Sequence, residues 1–180
     1  KKSEFEAYVS GQLVFALKEA WGGFGAGALV SYDLKALQAG TAKPVLVFQP
    51  GPRQAIQQVD ATDGRLVVNL LDEVKGAVDA YAFAGGKWSA AQRLALPKDA
   101  TFGLRSTAGS DDQLFVSAEG FLDPNSLWLA DAAGGQAARV KALPAQFDAS
   151  RHEVRQYWAT SSDGTKIPYF VVWPKAAKLD

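Results

Sequence analysis

Thr62-Asp63-Gly64-Arg65 followed by Leu66-Val67-Val68-Asn69 is a polar turn that delivers the chain into a short apolar, β-branched strand. The arrangement occurs twice more. Ser10-Gly11-Gln12 leads into Leu13-Val14-Phe15-Ala16, and Ser110-Asp111-Asp112-Gln113 leads into Leu114-Phe115-Val116-Ser117. The strand starts lie 53 and 48 residues apart. Each strand is followed by a second, at 28–33, 78–83 and 126–131, and by a third, at 45–48, 93–96 and 139–143. Two of the second strands close on aspartate, whose short side chain can bond its own backbone and start a turn. Two of the third strands close on Leu-Pro (Leu96-Pro97, Leu143-Pro144), which suits an edge strand because proline removes a ladder donor. A fourth strand, at 55–59 or 103–106, leads into the next unit.

Four strands in about 50 residues, repeated in phase, are the pattern of β-propeller blades. One such sheet cannot bury both of its faces, so each unit needs a neighbour. The expected fold is all-β: a partial β-propeller of about three four-stranded antiparallel blades over 1–149 (about 1–53, 54–101 and 102–149), followed by a β-hairpin over 150–180. A closed ring takes about 4 to 8 blades, so three make an arc. A β-sandwich of about twelve strands with coincidental spacing is the alternative. A helix at 34–39 is possible but short, and the Ala-rich tract at 130–138 is broken by Gly134-Gly135.

From Ser150 the pattern changes. Val154, Gln156 and Trp158 alternate with Arg155, Tyr157 and Ala159, then Asp163-Gly164 turns the chain into a second strand at 167–173. Asp-Gly between alternating strands is a strong hairpin signal. Pro168 makes that part of the returning strand an edge or leaves it unpaired.

Bulk composition narrows the function. At 180 residues the chain can bury roughly 70% of its unfolded surface, enough for one core and a small second one. Nineteen basic residues balance nineteen acidic ones with no block of either sign, so no basic face for nucleic acid or an acidic membrane is visible. No apolar run approaches the ~20 residues of a membrane span. Lys1-Lys2 runs straight into Ser3-Glu4-Phe5 without the apolar stretch of a signal peptide. The lack of methionine suggests a piece of a longer chain. Cysteine is absent too, which excludes disulfides and thiolate metal sites but fits cytoplasm and periplasm equally.

No catalytic, cofactor-binding or metal-binding residues are expected within the chain. An α/β-hydrolase serine needs a G-x-S-x-G elbow, and Gly109-Ser110-Asp111 lacks the second glycine. His152 is the single histidine; it reads as an exposed or capping residue at a boundary, and one histidine cannot build a His-based metal site. Asp72-Glu73 and Asp111-Asp112 read as solvated turn residues. Gly22-Gly23-Phe24-Gly25 and Gly51-Pro52 lack the strand–loop–helix context of a phosphate cradle and read as hairpin loops. Of five tryptophans, Trp128, Trp158 and Trp173 fall inside strands, where packing between sheets is expected.

Two segments carry a family resemblance. RQYWATSSDGTKIPYFVVWPK (155–175) resembles the place in prolyl oligopeptidase-type serine peptidases where the propeller ends and the hydrolase domain begins, and DGTKIPYF (163–170) is its most specific part. DDQLFVSAEGFLDPNSLWLAD (111–131) resembles the last blade of that family, and LKEAWGGFGAGALVSYDL (17–34) looks like a blade of bacterial members. The resemblance implies a seven-bladed propeller that restricts access of large substrates to an α/β-hydrolase domain, which cuts short peptides after proline with a Ser-His-Asp triad. It implies that the catalytic domain is missing here, that this chain alone is inactive, and that a peptide substrate belongs to the parent only. No nucleic acid or membrane is expected as a partner. A homo-oligomer through exposed blade edges is expected, since an unpaired edge is a pairing template. The alternative function is a stand-alone β-repeat module that binds a peptide or protein.

Overall fold

The computed structural model describes residues 2–177. Three four-stranded antiparallel sheets follow one another along the chain. The first contains β1 (Ser3–Val9), β2 (Gln12–Leu17), β3 (Leu29–Asp33) and β4 (Val45–Phe48), in that spatial order. Between β3 and β4 lies one helical turn, α1 (Leu34–Gln38), which starts where Asp33 caps Ala36 N at 2.8 Å.

The second sheet begins with β5 (Gln54–Ala61), β6 (Leu66–Asp72) and β7 (Lys75–Tyr81). A short hairpin, β8 (Phe83–Ala84) and β9 (Lys87–Trp88), then leaves the sheet, and β10 (Gln92–Arg93) returns to pair with β7. The third sheet runs β11 (Ala100–Thr107), β12 (Gln113–Gly120), β13 (Ser126–Asp131) and β14 (Ala137–Ala142). A 3-10 turn at Ala149–Arg151 precedes the closing hairpin, β15 (His152–Thr160) with β16 (Lys166–Pro174). In that hairpin Trp158 sits opposite Pro168, and both strands are edges, so the proline costs no inner ladder bond.

The strands at 55–59 and 103–106, which the boundaries at 54 and 102 place with the units that follow, open the second and third sheets. β5 pairs with β6 and β11 with β12, so each chain passage from one sheet to the next returns to its first strand. β7 starts three residues earlier than its sequence suggests, because Glu73 and Val74 make the two-residue turn after β6 with φ of 49° and 65°. Both central residues at positive φ define a type I′ hairpin turn, ordinarily the place of Asn-Gly. Nothing in Glu-Val advertises it.

Burial follows the alternation of the strands. Leu66, Val68 and Leu70 of β6 face the first sheet and join Ala7, Val9, Val14 and Leu29 in one core, together with Tyr81 and Trp88. Val67 of the same strand points the other way, with Val78 and Ala80, into a second core with Leu104, Leu114, Val116 and Ala130 of the third sheet. The middle sheet is thus covered on both faces, and Leu66 through Leu70 are buried without a break. Sheets stacked face to face in chain order are an arc of blades rather than a sealed two-sheet sandwich.

Polar groups bridge the same interfaces. Trp88 Nε1 donates to Ser31 Oγ at 2.9 Å, Ser31 Oγ donates to Gln12 Oε1 at 3.0 Å, and Gln12 Nε2 donates to Asp33 at 3.3 Å. Between the second and third sheets Asn69 Nδ2 donates to Phe102 O at 2.8 Å, and Leu104 N donates to Gln58 Oε1 at 2.8 Å. These bonds satisfy side chains that burial would otherwise penalise.

Candidate functional site

The residues singled out from sequence do not gather into a catalytic constellation. Asp148, Ser150 and His152 lie within one turn, but Ser150 Oγ donates to Asp148 at 2.6 Å. His152 is half-buried, its Nδ1 is enclosed with no hydrogen-bond partner among the described residues, and its ring stands edge-on to Phe147 at 5.6 Å. A relay needs the hydroxyl on one imidazole nitrogen and the carboxylate on the other, and neither contact is made. The Asp148 carboxyl is lowered from its ordinary value by the Ser150 hydroxyl and backbone N–H, with His152 adding a smaller effect of the same sign. That is capping geometry, and His152 itself closes the 3-10 turn.

The carboxylate pairs behave differently from one another. Asp111 is exposed and turns back on Gln113 N at 2.9 Å, as a turn residue does. Asp112 corrects the sequence reading. Its Oδ1 accepts from Thr62 Oγ1 at 2.6 Å and from Gly64 N at 2.8 Å, so it clasps the turn of the second sheet from the turn of the third. Two of the three polar turns that repeat in the sequence are therefore in direct contact. Among the described residues no group of three or more His, Cys, Asp or Glu could hold a metal ion.

The glycine loops are turns. Trp21 and Phe24 exchange backbone bonds at 3.0 and 2.9 Å around Gly22-Gly23, and Gln54 N donates to Gly51 O at 3.0 Å. The three strand tryptophans, expected to pack between sheets, stay partly or substantially exposed, with Trp158 at 38%. Trp88 is the buried one. It stands in the β8–β9 hairpin beside Phe83, ring centres 5.2 Å apart, and the Gly85-Gly86 pair before it is the signal that could have located it.

Near that core, Asp79 is buried and bonded to Arg93, whose guanidinium is held above its ordinary pKa chiefly by that bond. Burial, with the Asp79 charge beside it, pushes the Tyr81 hydroxyl up to about 12. Asp79 and Tyr81 are buried in the fold, while Arg93 reaches an open cleft that it shares with Asp72, Glu73, Lys75 and Gln156.

The remaining candidate is the seam between the closing hairpin and the arc. Val154, Gln156, Trp158, Pro168, Phe170 and Val172 share one face of the hairpin, as the register places them. Three of them reach the arc. Gln156 Nε2 donates to Glu73 O at 3.0 Å, the Arg53 guanidinium lies over the Trp158 ring at 5.7 Å, and Phe170 meets Phe121 with ring centres 5.1 Å apart. The Phe121–Phe170 pair also walls a cavity of about 290 Å³, together with Val74 and the Lys75–Asp99 ion pair at 2.7 Å.

The opposite face carries Arg155, Tyr157, Ala159, Ile167, Tyr169 and Val171. Tyr157 and Tyr169 stack at 5.7 Å and are 40% and 46% exposed, and Ile167 is 49% exposed. On the first sheet Phe5, Tyr8 and Leu46 are exposed, as are Trp21 of the β2–β3 loop and Leu37 of α1, around a small cluster in which Leu17, Ala28 and Val30 are buried.

Comparison with known proteins agrees with this anatomy. The model of the N-terminal β-propeller domain of prolyl oligopeptidase matches residues 4–142. An uncharacterized peptidase of Sinorhizobium fredii is 42% identical over 183 residues, which cover 98% of this chain and 25% of that protein. An uncharacterized peptidase of Rickettsia prowazekii is 26% identical over 158 residues, 86% of this chain and 22% of its own length. The chain thus spans about a quarter of the length of the curated relatives it matches. Among solved structures, a post-proline cleaving enzyme from Rickettsia typhi superposes with a TM-score of 0.79 at 22% identity, over 98% of this chain and 26% of that one, and shares the fold. A structure from a study of two prolyl endopeptidases gives 0.71 at 26% identity, over 98% and 24%. A blade-by-blade arc, a two-faced hairpin and a propeller model covering most of the sequence lead to one conclusion: the chain belongs to the prolyl oligopeptidase family, through its N-terminal β-propeller domain.

Proposed function

We propose that this chain is the closing part of the propeller and the first hairpin of the hydrolase domain of a prolyl oligopeptidase-type serine peptidase, with the boundary near residues 149 and 150. In that reading the arc is part of the wall that limits which substrates reach the catalytic domain. The whole enzyme hydrolyses short peptides after proline.

The observation that carries the reading is the two-faced hairpin. One face meets the arc through Gln156, Trp158 and Phe170, and the other presents stacked tyrosines to no part of the described chain. A hairpin of a self-contained binding module would have both faces settled. Burying the exposed rings of Tyr157 and Tyr169 is worth a few kcal/mol in hydrophobic transfer, which supports a covering domain.

The test uses the full-length protein and the 180-residue chain side by side, with a proline-containing chromogenic dipeptide and a serine-directed phosphonate. The full-length protein is expected to cleave the dipeptide and to take the label on a serine outside this chain. The 180-residue chain is expected to do neither. Covalent labelling of a serine within it would overturn the assignment.

We propose also that the 180-residue chain, taken alone, covers its bare sheet faces with a second copy. The support is the row of exposed apolar side chains on the first sheet and the unpaired outer strands β4 and β14. Light scattering at rising concentration should show mass growing beyond 19.2 kDa. A monodisperse monomer at high concentration would refute self-association.

A further inference from the structure

Four side chains from three separate parts of the sequence meet at the seam, and one of them touches all the others' elements. Arg53 stands in the turn before β5, Glu73 in the β6–β7 turn, and Gln156 and Trp158 on β15. Glu73 N donates to Arg53 O at 3.1 Å, and the two side chains form an ion pair at 2.7 Å. Glu73 is therefore tied to residue 53 twice, once through its backbone N–H and once through its carboxylate. Its carbonyl, held in that position, accepts the Gln156 amide, while the Arg53 guanidinium covers Trp158 two residues further along the same face.

The turn that presents this carbonyl is strained. Glu73 and Val74 both occupy the left-handed region, where a β-branched residue such as Val74 is a rare outlier. Asn-Gly would make the same turn without strain but would remove the carboxylate that meets Arg53 and the isopropyl group that lines the seam cavity. Backbone strain of this kind persists where the surroundings use the geometry.

We propose that Arg53 is the positioning residue of the seam: by locking the Glu73–Val74 turn and capping Trp158 it fixes the hairpin in one register on the arc. Through that register it sets the orientation of whatever the hairpin's other face carries. The lock does not depend on which reaction that partner performs. A flat guanidinium is suited to the task because it can pair with a carboxylate and lie on an indole at once, which an ammonium does poorly.

The experiment is amide hydrogen exchange on the full-length protein, read separately over residues 152–174 and over residues 113–131, which hold β12 and β13 and do not include the locked turn. Arg53→Met, which removes the charge and the planar group, is expected to speed exchange in 152–174 about three- to tenfold and leave 113–131 unchanged. Arg53→Lys should fall between Met and the parent, since it restores the ion pair without the stacking. Gln156→Leu should speed the same amides, and its effect should shrink in the Arg53→Met background, because the Glu73 turn has then lost its side-chain tie and presents the carbonyl less firmly. Unchanged hairpin exchange in Arg53→Met, equal acceleration in both regions, or strictly additive effects would each overturn the proposal. Failure of the peptidase reading would show instead as absent dipeptide cleavage, and would leave these exchange rates as they are.

Discussion

Replacing Trp88 by alanine is expected to cost about 3–5 kcal/mol of stability, the range for emptying a buried large aromatic site. The side chain sits in a two-residue strand outside the main ladder, yet it belongs to the core shared by the first and second sheets. It reaches across that interface to Ser31, which is fully buried and passes the bond on to Gln12. Removing the indole therefore opens a cavity against Phe83 and strips a donor from a buried hydroxyl. Trp88→Phe separates the two effects: it keeps most of the ring volume and should lose only about 1 kcal/mol for the bond, plus a small packing term. Urea unfolding followed by far-ultraviolet dichroism measures both. A loss below 1 kcal/mol for the alanine variant would show that the β8–β9 hairpin does not hold the two sheets together.

Gly76→Ala is the second large effect, and its cause is the opposite: too much matter in place of too little. A Cβ at position 76 would lie 2.4 Å from the carbonyl oxygen of Ala100 and 2.8 Å from Cδ2 of Phe102. A flexible side chain could step aside, but the carbonyl belongs to β11, the first strand of the third sheet, and moving it disturbs the ladder with β12. The cost is expected at about 3 kcal/mol, the upper part of the range for overpacking. Gly109→Ala is the control. It has open space around it, and alanine there should be neutral or slightly stabilising because it narrows the unfolded ensemble. The same urea titration compares the two. If Gly76→Ala matches Gly109→Ala within 0.5 kcal/mol, a scale on which surface changes usually fall, the sheets do not approach as closely as described.

The repeat of turn and strand was legible because two local rules agree at each site: a polar turn sequence, then alternating or continuous apolar residues with β preference. The closing hairpin was legible for the same reason at Asp163-Gly164, and its alternation separated Val154, Gln156 and Trp158 from the other face without saying which of the two meets the arc. What escaped had no local signature. The Glu73-Val74 turn uses residues that disfavour its own backbone angles, so β7 looked shorter than it is. Asp112 looked like a solvated turn residue because its partners, Thr62 and Gly64, lie about 50 positions away and come near only when the sheets stack. Trp128, Trp158 and Trp173 were assigned to packing by their place in strands, but the chain covers each only in part: Trp158 lies under Arg53 and is still 38% exposed. Of the seam residues, Glu73 was read with Asp72 as a solvated turn carboxylate, which its ion pair with Arg53 corrects, and Arg53 carried no signal because it is ordinary in its own turn.

The middle sheet, enclosed on both sides, gives the chain a direction of undoing. In a row of stacked units, stability is a sum of each unit's own tendency and the coupling to its nearest neighbours. The first and third sheets have one such coupling each within the chain, and the second has two. Opening therefore begins at either extremity and travels inward, and the strands from Leu66 to Tyr81 let go last. Evolution could then trade residues at the outer rims of this stack with small consequence, while the middle strands, with Val68 and Leu70 turned to one neighbour and Val67 and Val78 to the other, answer to both at once.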